Sequence, residues 1–299
     1  MIHIPKFQFD ANDWIEGNNL WGKKLAKLIR QRLAEDVAKS GVKPGLAVLL
    51  VGDDQASQVY VSHKEKACKE LGFTSIIRRE PASLSQEKAL EIAEQWNADP
   101  SLHGILVQLP LPSQIDERTV LQAIKPEKDV DGFHFENIGR LHAKSPGIVS
   151  CTPLGIMVML QEAAIDLVGK KAVVLGRSNI VGKPMAQLLM DAGQCTVTVC
   201  HSKTKDIASY VREADVVVSA MGVLNIVNPQ DIKKGAVIID VGMHRTENGL
   251  QGDLDYDQIK ERASYITPVP GGVGPMTIAM LMYNTYHNAV QTAKVNTDN

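Results

Sequence analysis

Cysteine is scarce in this chain: four in 299 residues, at Cys68, Cys151, Cys195 and Cys200. None forms a Cys-x-x-Cys pair and no histidine stands at zinc spacing from a pair, so neither a thiolate metal site nor a disulfide scaffold is expected. Scattered thiols fit a reducing compartment, where free cysteine packs as a small hydrophobe. Long apolar runs are also missing. Leu154 to Leu160 is typical of those present, far below the roughly 18 residues a membrane helix needs. The first twenty residues carry Asp10, Asp13 and Glu16 and no apolar core segment, so no secretory signal is expected. No sign of charge dominates: 32 Lys and Arg against 34 Asp and Glu give a formal charge of −2. That balance argues against a nucleic-acid binder that works by neutralising phosphates. No short repeat and no low-complexity segment interrupts the chain. What remains is ordinary globular usage, 44% apolar and 22% charged, over a length that suggests about two domains.

Hydrophobic patterning divides the chain into two alternating series. Apolar residues at 25, 28, 29, 33 and 37 give a helix within Leu20 to Ala38, ended by Gly41 and Pro44. The runs Leu46–Val51, Thr74–Arg79 and His103–Leu109 read as strands. Helices between and after them cover about 55–71, stopped by Gly72, a stretch opened by a Ser83/Gln86 capping box and running to about Asn97, and about 116–124. Lys125 to Pro153 is rich in Gly, Pro and Asp with little periodicity, and long irregular connections are often functional. After a helix from about Pro153 to Ala164, a second series places strands at 172–175, 196–200, 216–219 and 237–240. A glycine-proline loop spans Tyr265 to Gly274, and a last helix runs from about Met276 to Ala293. Such alternation predicts an α/β fold with largely parallel sheets.

In the second series, Lys170 to Pro184 reads strand, tight turn, helix, with Gly176 at the turn and Pro184 in the first helical turn. The helix start is expected to offer free backbone N–H groups to a phosphate. The motif is not Gly-x-Gly-x-x-Gly, and an ordinary strand-to-helix turn is the competing reading. The next strand ends Cys200-His-Ser-Lys-Thr204, without the acid that binds the ribose 2′-hydroxyl of NAD. Arg177 and Ser202 suit a 2′-phosphate instead, which favours NADP.

In the first series, Tyr60 and Lys64 lie four apart, on one helix face. Tyr-x-x-x-Lys is also the pair of short-chain dehydrogenases, but there it follows the glycine turn, whereas here it precedes Gly176. Gln108 lies within an apolar strand, near its carboxyl end, where a buried polar side chain needs partners; it serves either a ligand beyond the strand end or a backbone group in the core. Lys128-Asp-Val-Asp131-Gly132 resembles a fragment of a calcium loop without its third acid and distal glutamate, so no metal is expected.

Together these motifs closely resemble the bifunctional methylenetetrahydrofolate dehydrogenase/cyclohydrolase family. They are Tyr60-Val-Ser-His-Lys64, Gly104 to Pro112, Pro126 to Gly132, Cys151 to Gly155, Gly176 to Pro184 and Thr267 to Thr277, in the family's order. The last, eleven residues long, is the most specific. The amino terminus departs from the family, with Glu16-Gly17 standing where an Asp-Gly pair is usual. The resemblance implies two domains with a cleft between them. One is a folate-binding catalytic domain of residues 1–150 plus 278–299, the other a Rossmann-like NADP domain of residues 151–277. It implies NADP-dependent oxidation of 5,10-methylenetetrahydrofolate and hydrolysis of the methenyl product to 10-formyltetrahydrofolate, in one-carbon metabolism and purine biosynthesis. Lys64 is then the central catalytic group, positioned with Tyr60 and Gln108. Folate is lined by Tyr60, Lys64, Val107, Gln108, Leu109, Asp131 and the loop Pro270, Gly271, Gly272, Val273 and Gly274, with Asp131 on the pterin. Gly176, Arg177, Ser178, Ser202 and the backbone near Met243 hold NADP. A cytoplasmic homodimer paired through the second domain is expected, with neither a nucleic-acid nor a membrane partner. The rivals are a monofunctional methylenetetrahydrofolate dehydrogenase, a different NADP oxidoreductase of short-chain or shikimate type, and a non-catalytic binding module. Lys64 discriminates against the first and the last, since only the cyclohydrolase needs that amine.

Overall fold

The structure, a computed structural model, describes residues 2–247 and 249–297. In chain order the elements are β1 (Ile15–Glu16), β2 (Asn19–Leu20), α1 (Gly22–Ser40), β3 (Gly45–Val51), α2 (Gln55–Leu71), β4 (Thr74–Glu80), α3 (Gln86–Ala98), β5 (Gly104–Val107), α4 (Glu117–Ala123) and α5 (Phe135–His142). There follow α6 (Cys151–Glu162), β6 (Lys171–Leu175), α7 (Gly182–Asp191), β7 (Thr196–Cys200), α8 (Ile207–Glu213), β8 (Val216–Ser219), β9 (Val237–Asp240), β10 (His244–Thr246), β11 (Gly249–Gln251), α9 (Tyr256–Lys260), β12 (Tyr265–Ile266) and α10 (Val273–Thr297). The chain divides into two compact units. A first-series unit holds Ile29–Ala143, Gly147–Cys151 and Ile278–Asn299, and a second-series unit holds Met1–Leu28, Lys144–Pro146 and Thr152–Thr277. No helix among the described residues is long and apolar enough to cross a membrane.

The amino-terminal 28 residues therefore go with the second series, not with the first as the division at residue 150 assumes. Two local causes are visible. Ile266 of β12 pairs with Asn19 of β2. The N–H groups of Phe7, Gln8 and Phe9 all donate to the Glu162 carboxylate of α6.

In the first-series unit, β4, β3 and β5 form a parallel sheet with β3 in the middle. Every residue of β3 is buried, as expected of a parallel strand covered on both faces. The helix α2 has the bounds its pattern predicts. The Asp54 carboxylate accepts from Ser57 N at 2.7 Å at one end, and Gly72 takes the left-handed conformation, φ 73°, at the other. The start of α3 differs from expectation: Ser85, not Ser83, accepts from the Lys88 N–H. A turn with Leu84 N donating to Pro81 O keeps Ser83 outside the helix, and Gln86 uses its side-chain oxygen on Asp116 N. The irregular stretch 125–153 contains a helix of its own, α5, capped by His134.

In the second-series unit, the strand order is β1-β2-β12-β9-β8-β6-β7, parallel except for the β1–β2 hairpin. Strand β6 has β7 on one side and β8 on the other, which makes its carboxyl end the switch point where α/β sheets bind ligands. Strand β12 and the early start of α10 replace the two ends of the expected loop 265–274.

Candidate active site

Lys64 sits on the third turn of α2 and is only 7% exposed. Its Nζ donates to Gln108 Oε1 at 2.8 Å. Gln108 lies just past the end of β5, with its N–H on Leu49 O of the neighbouring strand and its side-chain Nε2 on Leu109 O. The side chain is thus partnered at both ends, by a backbone carbonyl and by the Lys64 amine. Tyr60 is half-buried one turn before Lys64 on the same helix.

Asp131 arrives from the irregular segment. Ile105 N donates to Lys128 O, and Ile105 bridges Asp129 in parallel register, so the chain runs beside β5 and carries Asp131 to its carboxyl end. Asn284 of α10 pins this segment: its Nδ2 donates to Val130 O at 2.9 Å and Val149 O at 3.1 Å. The buried Asp129 accepts from His134 N and Asn137 Nδ2, which fixes the turn beyond. Cys151 closes the cluster, its thiol donating to Val130 O at 3.2 Å, the carbonyl just before Asp131.

Burial decides the electrostatics. It pushes the Lys64 amine below the usual lysine range, with attraction to Asp131 and Cys151 acting the other way. It raises Asp131 to about 6, opposed by the Lys64 charge. It holds Cys151 well above its ordinary value, hence as a thiol. Taking a lysine and a carboxylate out of water disfavours both charges, so each is held nearer to neutrality than at a surface. A lysine that can lose its proton near neutral pH can serve as an acid/base group.

In the second-series unit, Gly176 has φ 119°, and a Cβ there would collide with the Ala220 carbonyl oxygen. A Cβ at Gly182 would collide in turn with the Gly176 carbonyl oxygen. Turn, helix α7 and the loop after β8 are thus packed backbone on backbone, as dinucleotide sites require. Gly176 N donates to Cys200 O, so the exposed Arg177 and Ser202 follow from neighbouring strand ends. One expectation is corrected. The first N–H groups of α7 are not free: Ser178 Oγ accepts from Val181 N and Gly182 N, Ser178 O accepts from Lys183 N, and Pro184 has no N–H. Met243 is exposed after β9.

The structure therefore brings Tyr60, Lys64, Gln108 and Asp131 together in one unit. Val107 and Leu109 belong to that unit as well, but their side chains pack in or against its apolar core. Pro270 to Gly274 belong to the other unit, where Gly271 O accepts from Lys23 N at the start of α1, and Val273 is buried. Sequence reasoning missed Cys151, read only as a core thiol although it opens one of the quoted motifs, and also Asn137 and Asn284. Asn284, a polar residue within an apolar helical pattern, was an available signal; Asn137, in the stretch that reads as irregular, offered none.

A family model described as the catalytic domain of tetrahydrofolate dehydrogenase/cyclohydrolase matches residues 20–131. Its companion, the NAD(P)-binding domain, matches residues 150–293. The chain is 53% identical over 276 residues to the bifunctional protein FolD of Geobacillus thermodenitrificans, covering 91% of this chain and 97% of the relative. Identity to the Cupriavidus necator FolD is 55%, with the same coverage. Among solved structures, the bifunctional FolD of Campylobacter jejuni matches with a TM-score of 0.88 at 47% identity, over 91% of this chain and 98% of that one. The Trypanosoma brucei enzyme, solved with NADP cofactor and an inhibitor, matches with a TM-score of 0.88 at 40% identity, over 94% and 99%. With both halves matched in order across most of the chain, this protein belongs to the tetrahydrofolate dehydrogenase/cyclohydrolase family.

Proposed function

We propose that the chain oxidises 5,10-methylenetetrahydrofolate with NADP+ and then hydrolyses the methenyl product to 10-formyltetrahydrofolate. The observation that carries this reading is the buried Lys64 amine bonded to Gln108 beside Asp131, in a chain that both family models match. An assay with methylenetetrahydrofolate and NADP+ tests it: NADP+ reduction and 10-formyl product are expected together, and failure to reduce NADP+ would refute the first half.

The methylene carbon of the substrate lies between two nitrogens, whose lone pairs stabilise the cation left when hydride departs. This step needs no protein base, only placement. NADP+, when bound, supplies the hydride acceptor. Hydrolysis is different. Water adds its oxygen to the amidinium carbon and must lose protons, and the departing ring nitrogen must gain one. Lys64, whose amine burial makes easier to deprotonate, takes the proton from water and returns it to nitrogen. Gln108 holds one Nζ–H and so fixes the direction of the amine. The Asp131 carboxylate accepts two N–H groups of the pterin, and Cys151 and Asn284 keep it in place. For the loop 270–274 a folate role rests on its motif.

Gly176, Gly182 and the strand ends carrying Arg177 and Ser202 suit a dinucleotide, and the missing acid after β7 suits NADP. Arg177→Ala should lower kcat/KM for NADP+ and leave NAD+ nearly unaffected. A charge-assisted bond of about 1.5–3 kcal/mol corresponds to roughly 10–150-fold. Exposure of Arg177 puts the loss at the low end, because water screens the pair. Equal loss with both cofactors would remove Arg177 from the phosphate site. Family resemblance supports a homodimer formed through the second-series unit and a place in one-carbon metabolism that feeds purine synthesis. The four free, buried cysteines are compatible with the reducing cytoplasm.

A further inference from the structure

Beneath the strand ends of the second-series unit lies a polar cluster that neither the motifs nor the mechanism uses. Asp253 is fully buried. Its Oδ2 accepts from Ser219 Oγ at 3.1 Å, Met221 N at 2.9 Å and Gly222 N at 3.1 Å. Its Oδ1 meets His244 Nε2 at 2.8 Å. A second buried carboxylate, Asp240, supports the first: it accepts from Gly242 N, Asp253 N and Leu254 N. The packing leaves no room to spare. A Cβ at Gly242 would collide with the Asp253 carboxylate, and one at Gly252 with that of Asp240.

The partners of Asp253 are what give it meaning. Ser219, Met221 and Gly222 bracket Ala220, whose carbonyl presses on Gly176 at the nucleotide turn. His244 directly follows Met243, and Val241 N of the same segment donates to Ser219 O. One carboxylate thus fixes two of the strand-end segments around the dinucleotide turn. A buried carboxylate with four donors is held far more rigidly than a loop tied by single bonds, and removing an acceptor there strands several donors at once. His244 is the one ionisable donor among the four.

We infer that Asp253, with His244, is a positioning residue for NADP, setting the 219–222 and 241–244 segments against which the dinucleotide rests. The inference rests on the NADP reading of this unit. Asp253→Asn keeps the shape but turns an acceptor into a donor that faces other N–H groups. By calorimetry, NADP+ affinity should fall about 10–100-fold, and KM for NADP+ should rise more than kcat falls. Hydrolysis of methenyltetrahydrofolate, measured without any cofactor, should stay at the wild-type rate. His244→Ala should weaken NADP+ binding, and His244→Gln, which keeps a neutral donor, should restore most of it. Unchanged NADP+ affinity in Asp253→Asn would overturn the inference. So would a fall of both activities in step with a lost melting transition, together with a His244→Ala variant that binds NADP+ normally. Wild-type protein that binds no NADP+ would instead refute the cofactor reading itself.

Discussion

Lys64→Met is expected to slow hydrolysis of methenyltetrahydrofolate by roughly 10²–10⁴-fold, the range of a lost general acid/base group, while NADP+ reduction survives at a much larger fraction of its rate. The asymmetry follows from the chemistry of the two steps. Loss of hydride leaves a cation that two nitrogens stabilise, whereas addition of water requires proton movement at a defined place. Methionine keeps the unbranched shape of the buried lysine and removes only the amine, so the helix α2 and its packing should persist. Lys64→Arg should fail in the same way, because a guanidinium does not deprotonate in this range. Hydrolysis by the wild type should also rise with pH as the lowered Lys64 titrates, since the neutral amine is the active form. Equal loss of both activities in a folded Lys64→Met variant would sink the division of labour.

The second large effect is expected at Asp131. Asn at this position presents a donor to the pterin's donors, and hydrogen bonds to a charged group contribute about 1.5–3 kcal/mol, or roughly 10–150-fold in affinity. Folate binding should weaken by that amount and NADP+ binding should not change. The wild type carries its own control. Burial raises Asp131 to about 6, so the carboxylate that accepts the pterin's N–H groups is present above that pH and is lost as pH falls through it. Folate affinity should therefore drop by about tenfold per pH unit below that point. In Asp131→Asn, which has no proton to gain, this dependence should vanish. Calorimetry on both proteins across that interval checks the pair of statements. A wild-type affinity independent of pH would take Asp131 off the pterin.

Much of the scaffold for these groups was legible as pattern. Leu46 to Val51 is a continuous apolar run because β3 is covered on both faces, and the helix carrying Tyr60 and Lys64 announces its stop at Gly72. The elements that escaped reading are short or held by distant partners. β1, β2 and β12 are two residues each, too brief for any period, and exist because their edges pair. α5 spans eight residues and is capped by a histidine, which is not a usual start signal. The site divides along the same line. Tyr60 and Lys64 show their spacing within one helix. Asp131, Cys151 and Asn284 meet only through the fold, since Asn284 lies 154 residues from Val130, whose carbonyl it holds. Asp253 is more hidden still: its partners Ser219, Met221 and Gly222 are 34, 32 and 31 residues away, and nothing in a local window marks a buried aspartate as such. Ser178 shows the opposite hazard. A turn that reads as an open phosphate cradle has its first helical N–H groups already engaged by its own serine.

The most direct test follows two signals in one sample of purified protein supplied with methylenetetrahydrofolate and NADP+: reduction of the cofactor and the amount of methenyltetrahydrofolate. For the wild type, cofactor reduction with little methenyl build-up and steady appearance of 10-formyltetrahydrofolate is expected. In Lys64→Met the cofactor should still be reduced while methenyltetrahydrofolate accumulates. Wild-type protein that reduces NADP+ but leaves the methenyl compound to hydrolyse no faster than in protein-free buffer would contradict the bifunctional assignment and leave a monofunctional dehydrogenase.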